Sequence, residues 1–322
     1  MTRPKVIPTR RLPDPVEARM ETLFDVTLRP DDSPMAREEL AAALTDCDVL
    51  APTLTDRIDA ALIEGAGPRL RMIASFGAGT DHIDLSAAKA RGIAVTNTPD
   101  VLTEDTADIF LALILSTARG LGEGERLLRA GAWTGWAPTN LLGRTLTGKA
   151  LAIVGMGRIG RALARRARAC GMRIHYHNRR RLDPQAEADT GARWWPQLDP
   201  MLEAADFVAL CCPYSAQTHH LIDARRLALM KPSAFLINAA RGAVVDEEAL
   251  LTALESGALA GAGLDVYPRE PEVNPRLMAL PNVTLLPHLG SATHETRVVM
   301  GDKLIANIQA WSRGEDLPDR VV

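Results

Sequence analysis

The sequence predicts an α/β protein of two domains, each a doubly wound parallel sheet, with the second domain inserted into the first. Three observations carry that expectation. Short β-branched or apolar runs alternate with amphipathic stretches from end to end, which is the rhythm of strand–helix–strand units. Near Pro99 one long helical pattern interrupts this rhythm, which then starts again. The 322 residues, 47% of them hydrophobic, are enough to bury two cores.

In the first series, strands are expected at Lys5–Ile7, Phe24–Leu28, Asp48–Pro52, Arg71–Phe76 and Ile93–Asn97, with helices such as Ala36–Leu44 and Leu85–Ala90 between them. Leu102–Ala118 reads as a long helix. Thr103 suits its N-cap, acidic residues occupy its first turn, and Gly120 ends it. Further strands are expected at Ala150–Val154, Arg173–Tyr176, Phe207–Leu210, Ala234–Ile237, Gly263–Val266 and Val283–Leu285. The closing stretch Ala292–Trp311 is amphipathic and helical, and is expected to return to the first domain. The expected domains are therefore residues 1–100 with 292–322, and residues 101–291.

A net charge of −3 exerts no general pull on nucleic acid or an acidic membrane, so neither is expected as a partner. The opening MTRPKVIPTRR lacks the apolar core of a secretory signal, and the apolar run Ile109–Leu115 is too short to span a bilayer. Cys47, Cys170, Cys211 and Cys212 form no CxxC pair, and the adjacent Cys211 and Cys212 read as small core fillers. A reduced, cytoplasmic protein is expected. No metal site is expected either: adjacent His219 and His220 should diverge in a regular element, and His175 and His177 share a strand face without evident partners.

The strand Ala150–Val154 leads into Gly155-Met156-Gly157-Arg158-Ile159-Gly160, and the helix Arg161–Ala169 follows. This is GxGxxG in the setting it requires, a Rossmann dinucleotide fingerprint. Gly155 permits the turn, Gly157 lets backbone approach a pyrophosphate, and Gly160 lets helix pack on strand. The helix N-terminus offers free N–H groups to phosphate.

The end of the next strand bears on the ribose. An NAD site would carry Asp or Glu there, whereas this chain has Asn178, Arg179, Arg180 and Arg181. A carboxylate repels a 2′-phosphate and guanidinium groups bind it. Three arginines in a row are also what a solvated basic loop looks like. NADP(H) is the expected cofactor, with NAD(H) as the alternative.

Three more segments lie at expected strand ends: Asn238-Ala239-Ala240-Arg241-Gly242, Leu264-Asp265-Val266-Tyr267-Pro268-Arg269-Glu270-Pro271, and Leu286-Pro287-His288-Leu289-Gly290-Ser291-Ala292. With the fingerprint, this ordered set resembles the D-isomer-specific 2-hydroxy-acid dehydrogenase family over nearly the whole chain. The arginines after Asn178 and the Trp133–Trp136 segment resemble its glyoxylate/hydroxypyruvate reductase branch. The resemblance implies a Rossmann NAD(P)-binding domain inserted into a flavodoxin-like substrate-binding domain, acting on small 2-keto and 2-hydroxy acids.

Reducing a 2-keto acid leaves negative charge on oxygen, which an imidazolium can protonate and stabilise. The resemblance gives that role to His288, with Glu270 orienting the ring and raising its pKa, and Arg241 clamping the substrate. Small residues in Ser75–Asp81, after a strand, can turn their N–H groups toward an anion. By resemblance Ala78 and Gly79 there hold the substrate carboxylate, and Leu54 lines the substrate pocket. The implied cofactor set adds Thr106, Cys212, Pro213, Thr218, Ala239, Ala240, Asp265, Gly290 and Ser291 to Arg241, His288, the glycine loop, Asn178, Arg179 and Arg180. Closure of one domain on the other would exclude water.

Trp136, in a stretch read as lying between the domains, is implied to reach a partner subunit's pocket or to serve as an interface residue, so a homodimer is expected. Phosphite and phosphoglycerate dehydrogenases share the Arg–Glu–His order, although a chain ending soon after Trp311 would lack an added regulatory domain. Dinucleotide-sensing corepressors are also built on this fold and would bind nucleotide without hydride transfer.

Overall fold

In the computed structural model, which describes Arg3–Val322, the named strands pair only in parallel. Met1 and Thr2, where the expected first domain begins, lie outside the described residues. The first sheet contains β1 (Lys5–Pro8), β2 (Asp25–Val26), β3 (Val49–Ala51), β4 (Met72–Ala74) and β5 (Ala94–Thr96), in the order β2-β1-β3-β4-β5.

The second contains β6 (Ala150–Val154), β7 (Arg173–His177), β8 (Arg193–Trp194), β9 (Phe207–Leu210), β10 (Phe235–Asn238), β11 (Gly261–Leu264) and β12 (Val283–Leu285). Its order is β12-β11-β10-β9-β6-β7-β8, so the winding reverses between β6 and β9. Such a reversal opens a crevice at the strands' carboxyl ends, because the connections on its two sides depart in opposite directions.

The described chain divides into two units, one of residues up to Leu102 with Ser291–Val322, the other Thr103–Gly290. The first is built on the five-stranded sheet and the second on the seven-stranded sheet. The sequence makes each sheet buried on both faces, as parallel sheets require. In β6, Ala152 and Val154 enter one core cluster while Leu151 and Ile153 enter the other. In the first unit Ile7, Leu50 and Ile73 face one cluster, and Val6, Val49 and Met72 the opposite one.

The helix His294–Arg313 belongs to the first unit because Met300, Leu304, Ile305 and Ile308 join the core of Leu12, Val16 and Met20. Gly301 makes that packing close, since a Cβ there would sit 2.3 Å from a Val16 methyl.

Several expectations are corrected. The strand expected at Gly263–Val266 is β11, Gly261–Leu264, because Leu264 is its last residue in register with Asn238 and Asp265 leaves the ladder. Phe24–Leu28 contracts to the two-residue β2, which pairs only with β1 at the sheet edge. Thr103 is the first residue of its helix rather than its cap. Gly120, at φ 61°, ends that helix, yet Leu121–Arg129 at once forms another.

The Trp133–Trp136 stretch falls within the second unit and not between the two. His219 and His220 do not diverge: His220 takes φ 47° outside any regular element, and their rings stack with centroids 4.0 Å apart. Among the described residues no helix is long and apolar enough to cross a membrane, and no group of three His, Cys, Asp or Glu side chains is placed to hold a metal.

Candidate active site

The glycine loop sits at the reversal of the second sheet. Gly155 adopts φ 98°, and a Cβ there would lie 2.6 Å from the Cys212 nitrogen, so no side chain is tolerated. A Cβ on Gly160 would meet the Gly155 carbonyl at 2.4 Å, which is how the helix Arg158–Ala169 closes onto the loop. Gly157 is the N-cap of that helix and has no atom within 4 Å of its absent Cβ. Its open side leaves the helix N–H groups accessible.

A cavity of about 1270 Å³ lies against this loop, lined by Gly155–Gly157 and by Asn178, Arg179, Arg180, Cys212, Pro213 and Thr218. Arg158 and Ile159 open the helix and are not part of the cavity wall. An open glycine cradle at a helix N-terminus, with cationic side chains along the same cavity, fits a dinucleotide.

Asn178 accepts the Met156 N–H through Oδ1 at 2.6 Å, so its side chain braces the glycine loop. The three arginines after it separate. Arg179 donates to Gln217 Oε1 at 3.0 Å on the cavity, and Arg180 also lines it. Arg181 instead forms a two-point ion pair with Glu187, at 2.9 and 2.7 Å, and lies over the Trp194 ring. Arg181 and the Tyr176 hydroxyl together hold the Glu187 carboxyl down to about 2.

The Thr218 hydroxyl donates to the Pro213 carbonyl and accepts the Ser215 N–H, tying the loop over the cavity. Burial pushes the Cys212 thiol up to about 11 and Cys211 well above the usual thiol range, so both are protonated, inert fillers.

The remaining strand ends of this unit bring Arg241, Glu270 and His288 onto one constellation. Asn238 at the end of β10 shapes the first turn: Oδ1 accepts the Ala240 N–H and Nδ2 donates to the Arg241 carbonyl. Ala239 is buried beside it, and Arg241 follows directly. Gly242 then passes so close to the next segment that a Cβ would lie 2.0 Å from the Tyr267 carbonyl carbon.

Glu270 Oε1 accepts the Tyr267 N–H, and Oε2 lies 2.6 Å from His288 Nδ1. Burial pushes the Glu270 carboxyl up, but the His288 bond, the Tyr267 amide and the Arg241 charge outweigh it and hold the group below the usual carboxylate range. An ionised carboxylate only accepts, so His288 Nδ1 carries a proton and Nε2 is left facing away from Glu270.

His288 has φ 56°, an uncommon conformation for a side-chain-bearing residue, and Asp265 holds it there. The Asp265 carbonyl accepts the His288 N–H, and its two carboxylate oxygens accept the N–H groups of Leu289 and Gly290 at 2.7 and 2.9 Å. Burial pushes the Asp265 carboxyl above its ordinary range against the pull of these amides. Thr106, buried on the long helix, donates to the Gly290 carbonyl at 2.8 Å. The turn carrying His288 is thus anchored on both sides within its own unit, and Ser291 opens the return to the first unit.

In the first unit, Leu54 packs against Gly77, where a Cβ would lie 2.7 Å from a Leu54 methyl. The Gly77 carbonyl accepts the Thr98 N–H and the Ala78 carbonyl accepts from Asn97 Nδ2. With both carbonyls tied inward, the Ala78 and Gly79 N–H groups have no hydrogen-bond partner among the described residues. None of Ser75–Asp81 takes a positive φ, so the loop is a turn and not an alternating nest. Trp136 is 83% exposed and Trp133 54%.

Sequence reasoning names Asn238 and Gly242 only as neighbours in the Arg241 segment, without a role, and misses Gln217 and Arg297. The last lies over the Phe76 ring, and burial lowers its guanidinium pKa. Only Gly242, directly after Arg241, carries a signal that could have given it a role.

Residues 111–290 match the model of the D-isomer specific 2-hydroxyacid dehydrogenase NAD-binding domain. A glyoxylate reductase of Pyrococcus furiosus is 46% identical over 323 residues, covering 99% of this chain and 95% of that protein. One from Thermococcus litoralis is 44% identical, covering 99% and 97%. The crystal structure of an NADPH-dependent glyoxylate/hydroxypyruvate reductase from Sinorhizobium meliloti, in complex with NADP and malonate, superposes with a TM-score of 0.89 at 37% identity, covering 100% of this chain and 97% of that one. With its two parallel sheets, its glycine loop and these relatives along its full length, the chain belongs to the D-isomer-specific 2-hydroxy-acid dehydrogenase family, in the glyoxylate/hydroxypyruvate reductase branch, and is an oxidoreductase that depends on a nicotinamide dinucleotide.

Proposed function

We propose that this chain reduces glyoxylate and hydroxypyruvate to their 2-hydroxy acids, with NADPH as the preferred reductant. The observation that carries the reading is the 2.6 Å bond from His288 Nδ1 to Glu270 Oε2, on strand ends adjacent to the turn of Arg241. The chemistry the dinucleotide supplies when bound is hydride transfer to the carbonyl carbon.

His288 delivers the proton to the developing alkoxide from the ring nitrogen that Glu270 leaves free. Glu270 fixes the ring orientation and balances its charge. Arg241 clamps the substrate carboxylate and carbonyl oxygen and so sets the face presented to hydride. In the first unit, taken by itself, the unpartnered N–H groups of Ala78 and Gly79 are suited to a carboxylate, and Leu54 packs against the neighbouring Gly77. On this reading the unit up to Leu102 with Ser291–Val322 binds the substrate.

Arg179 and Arg180 on the cavity, with no carboxylate after β7, support selection of a 2′-phosphate. The names of relatives, glyoxylate reductases among them and one NADPH-dependent, support the substrate and cofactor. The exposed Leu121, Leu128, Trp133, Trp136, Leu141 and Leu142 fall within one stretch of the chain, residues 121–142, and a second copy covering them would account for their exposure, which supports a homodimer.

Absorbance of NADPH and NADH, followed separately with glyoxylate, hydroxypyruvate and pyruvate, tests the reading. Fast NADPH loss with either of the first two is expected. No turnover with them, in protein that binds nucleotide, overturns it. Replacing Arg179 and Arg180 with Ala is expected to raise KM for NADPH far more than for NADH, and equal effects would reduce both to surface charge.

A further inference from the structure

The arginines around the cofactor cavity differ in what balances them. Arg181 is neutralised by Glu187 through two bonds and does not line the cavity. Arg226 lines it but is paired with Asp199 at 2.9 Å and donates to the Leu221 carbonyl. Arg180 also lines the cavity, and Arg179 donates to a neutral side chain, the Gln217 amide oxygen at 3.0 Å, with Gln217 lining the same cavity. The turn bearing that partner is closed by the next residue, since Thr218 Oγ1 donates to the Pro213 carbonyl and accepts the Ser215 N–H.

We propose that Gln217 is a cofactor-selectivity residue, a positioning residue that fixes the Arg179 guanidinium over the cavity while leaving its charge available to a dinucleotide 2′-phosphate. The physical reason lies in the difference between an amide and a carboxylate of the same shape. An amide oxygen accepts one N–H bond and cancels no charge, so Arg179 arrives at the cavity oriented and still cationic. A Glu at this position would make the Arg179 pair resemble the Arg181–Glu187 pair and would add a negative charge beside the phosphate. A hydroxyl at the ribose 2′ position carries no charge, so a dinucleotide without the phosphate is largely indifferent to the exchange.

The inference rests on the NADPH reading above, and the test separates the two. Kd for NADPH and NADH is measured by fluorescence titration without keto acid, and kcat and KM with glyoxylate saturating, in the parent protein and in Gln217→Glu, Gln217→Met, Arg179→Met and the Arg179→Met/Gln217→Glu double variant. Gln217→Glu is expected to lower the NADPH-to-NADH ratio of kcat/KM by roughly 10- to 100-fold, the scale of losing a hydrogen bond to a charged group, through KM for NADPH. Gln217→Met keeps the Arg179 charge and loses only its tether, so a fall of roughly threefold is expected, again through KM for NADPH. In the Arg179→Met background the added cost of Glu should shrink, because there is no guanidinium left to neutralise.

Far-UV circular dichroism and the midpoint of urea unfolding show that each variant is folded. A parent ratio near one overturns the NADPH reading and this inference with it. A parent that prefers NADPH, with a ratio unmoved in Gln217→Glu or with both cofactors weakened equally, overturns the role of Gln217 alone. An undiminished effect of Glu without Arg179 overturns action through Arg179.

Discussion

Glu270 Oε2 and His288 Nδ1 lie 2.6 Å apart although 18 residues separate them along the chain. The carboxylate comes from the segment after β11 and the ring from the turn after β12, and these strands are neighbours in the sheet. Replacing His288 with Ala should lower kcat by about 10²–10⁴-fold, the usual scale for a general acid. Steady-state turnover with glyoxylate measures this, and near-normal kcat would remove His288 from the chemistry.

The Glu270 carboxyl is held below its ordinary range, so the unfolded chain takes up this proton at a higher pH than the folded one. Its contribution to stability is present above the unfolded value of about 4.3 and is lost as pH falls from there through the folded value. Gln at position 270 should flatten that acid limb in urea unfolding followed between about pH 3 and 6. Parallel curves for the two proteins would show that the pair does not stabilise the fold.

Gly242 passes the Tyr267–Pro268 backbone where a Cβ would sit 2.0 Å from a carbonyl carbon. Backbone cannot rotate aside as a side chain would. Gly242→Ala should therefore cost about 3 kcal/mol and lower kcat, because the strain separates the Arg241 turn from the Glu270 segment. The midpoint of urea unfolding at constant m checks the first effect. An unchanged midpoint would mean the two segments shift apart without penalty.

Asn178 braces the glycine loop through the Met156 N–H, so its loss should weaken any dinucleotide, phosphorylated at the ribose or not. Asn178→Ala is expected to raise KM for NADPH and NADH alike by roughly 5- to 10-fold, the cost of one half-buried hydrogen bond. A change confined to NADPH would instead place the Asn178 side chain on the 2′-phosphate.

Trp136 and Leu142, within residues 121–142, are 83% and 75% exposed. If a second copy covers them, a charge at either position is left buried and unpaired, and Leu142→Glu should shift the protein toward monomer. Light scattering across protein concentration reads this directly. A parent protein that is monomeric at high concentration would rule out the dimer.

Much of the site is legible in the residues alone, because its signals are local. GxGxxG reports a turn that only residues without Cβ can make, as the φ of 98° at Gly155 bears out. Alternating burial along β6 follows from runs of apolar residues bounded by turn residues. The ordered Arg241, Glu270 and His288 stand out because each follows an apolar run that forms a strand.

What tertiary structure decides is which of several similar side chains is used and what holds it. Three consecutive arginines look equivalent in the sequence, yet Glu187 removes Arg181 from the cavity while Gln217, 38 residues away, keeps Arg179 on it. Asp265 reads as a cofactor contact, yet both its oxygens accept backbone N–H groups of the His288 turn. The reason is the strand order β12-β11-β10-β9-β6-β7, which gathers residues far apart in sequence at neighbouring or near-neighbouring strand ends. Local propensity has no knowledge of that order, because it is set by the packing of both sheet faces at once.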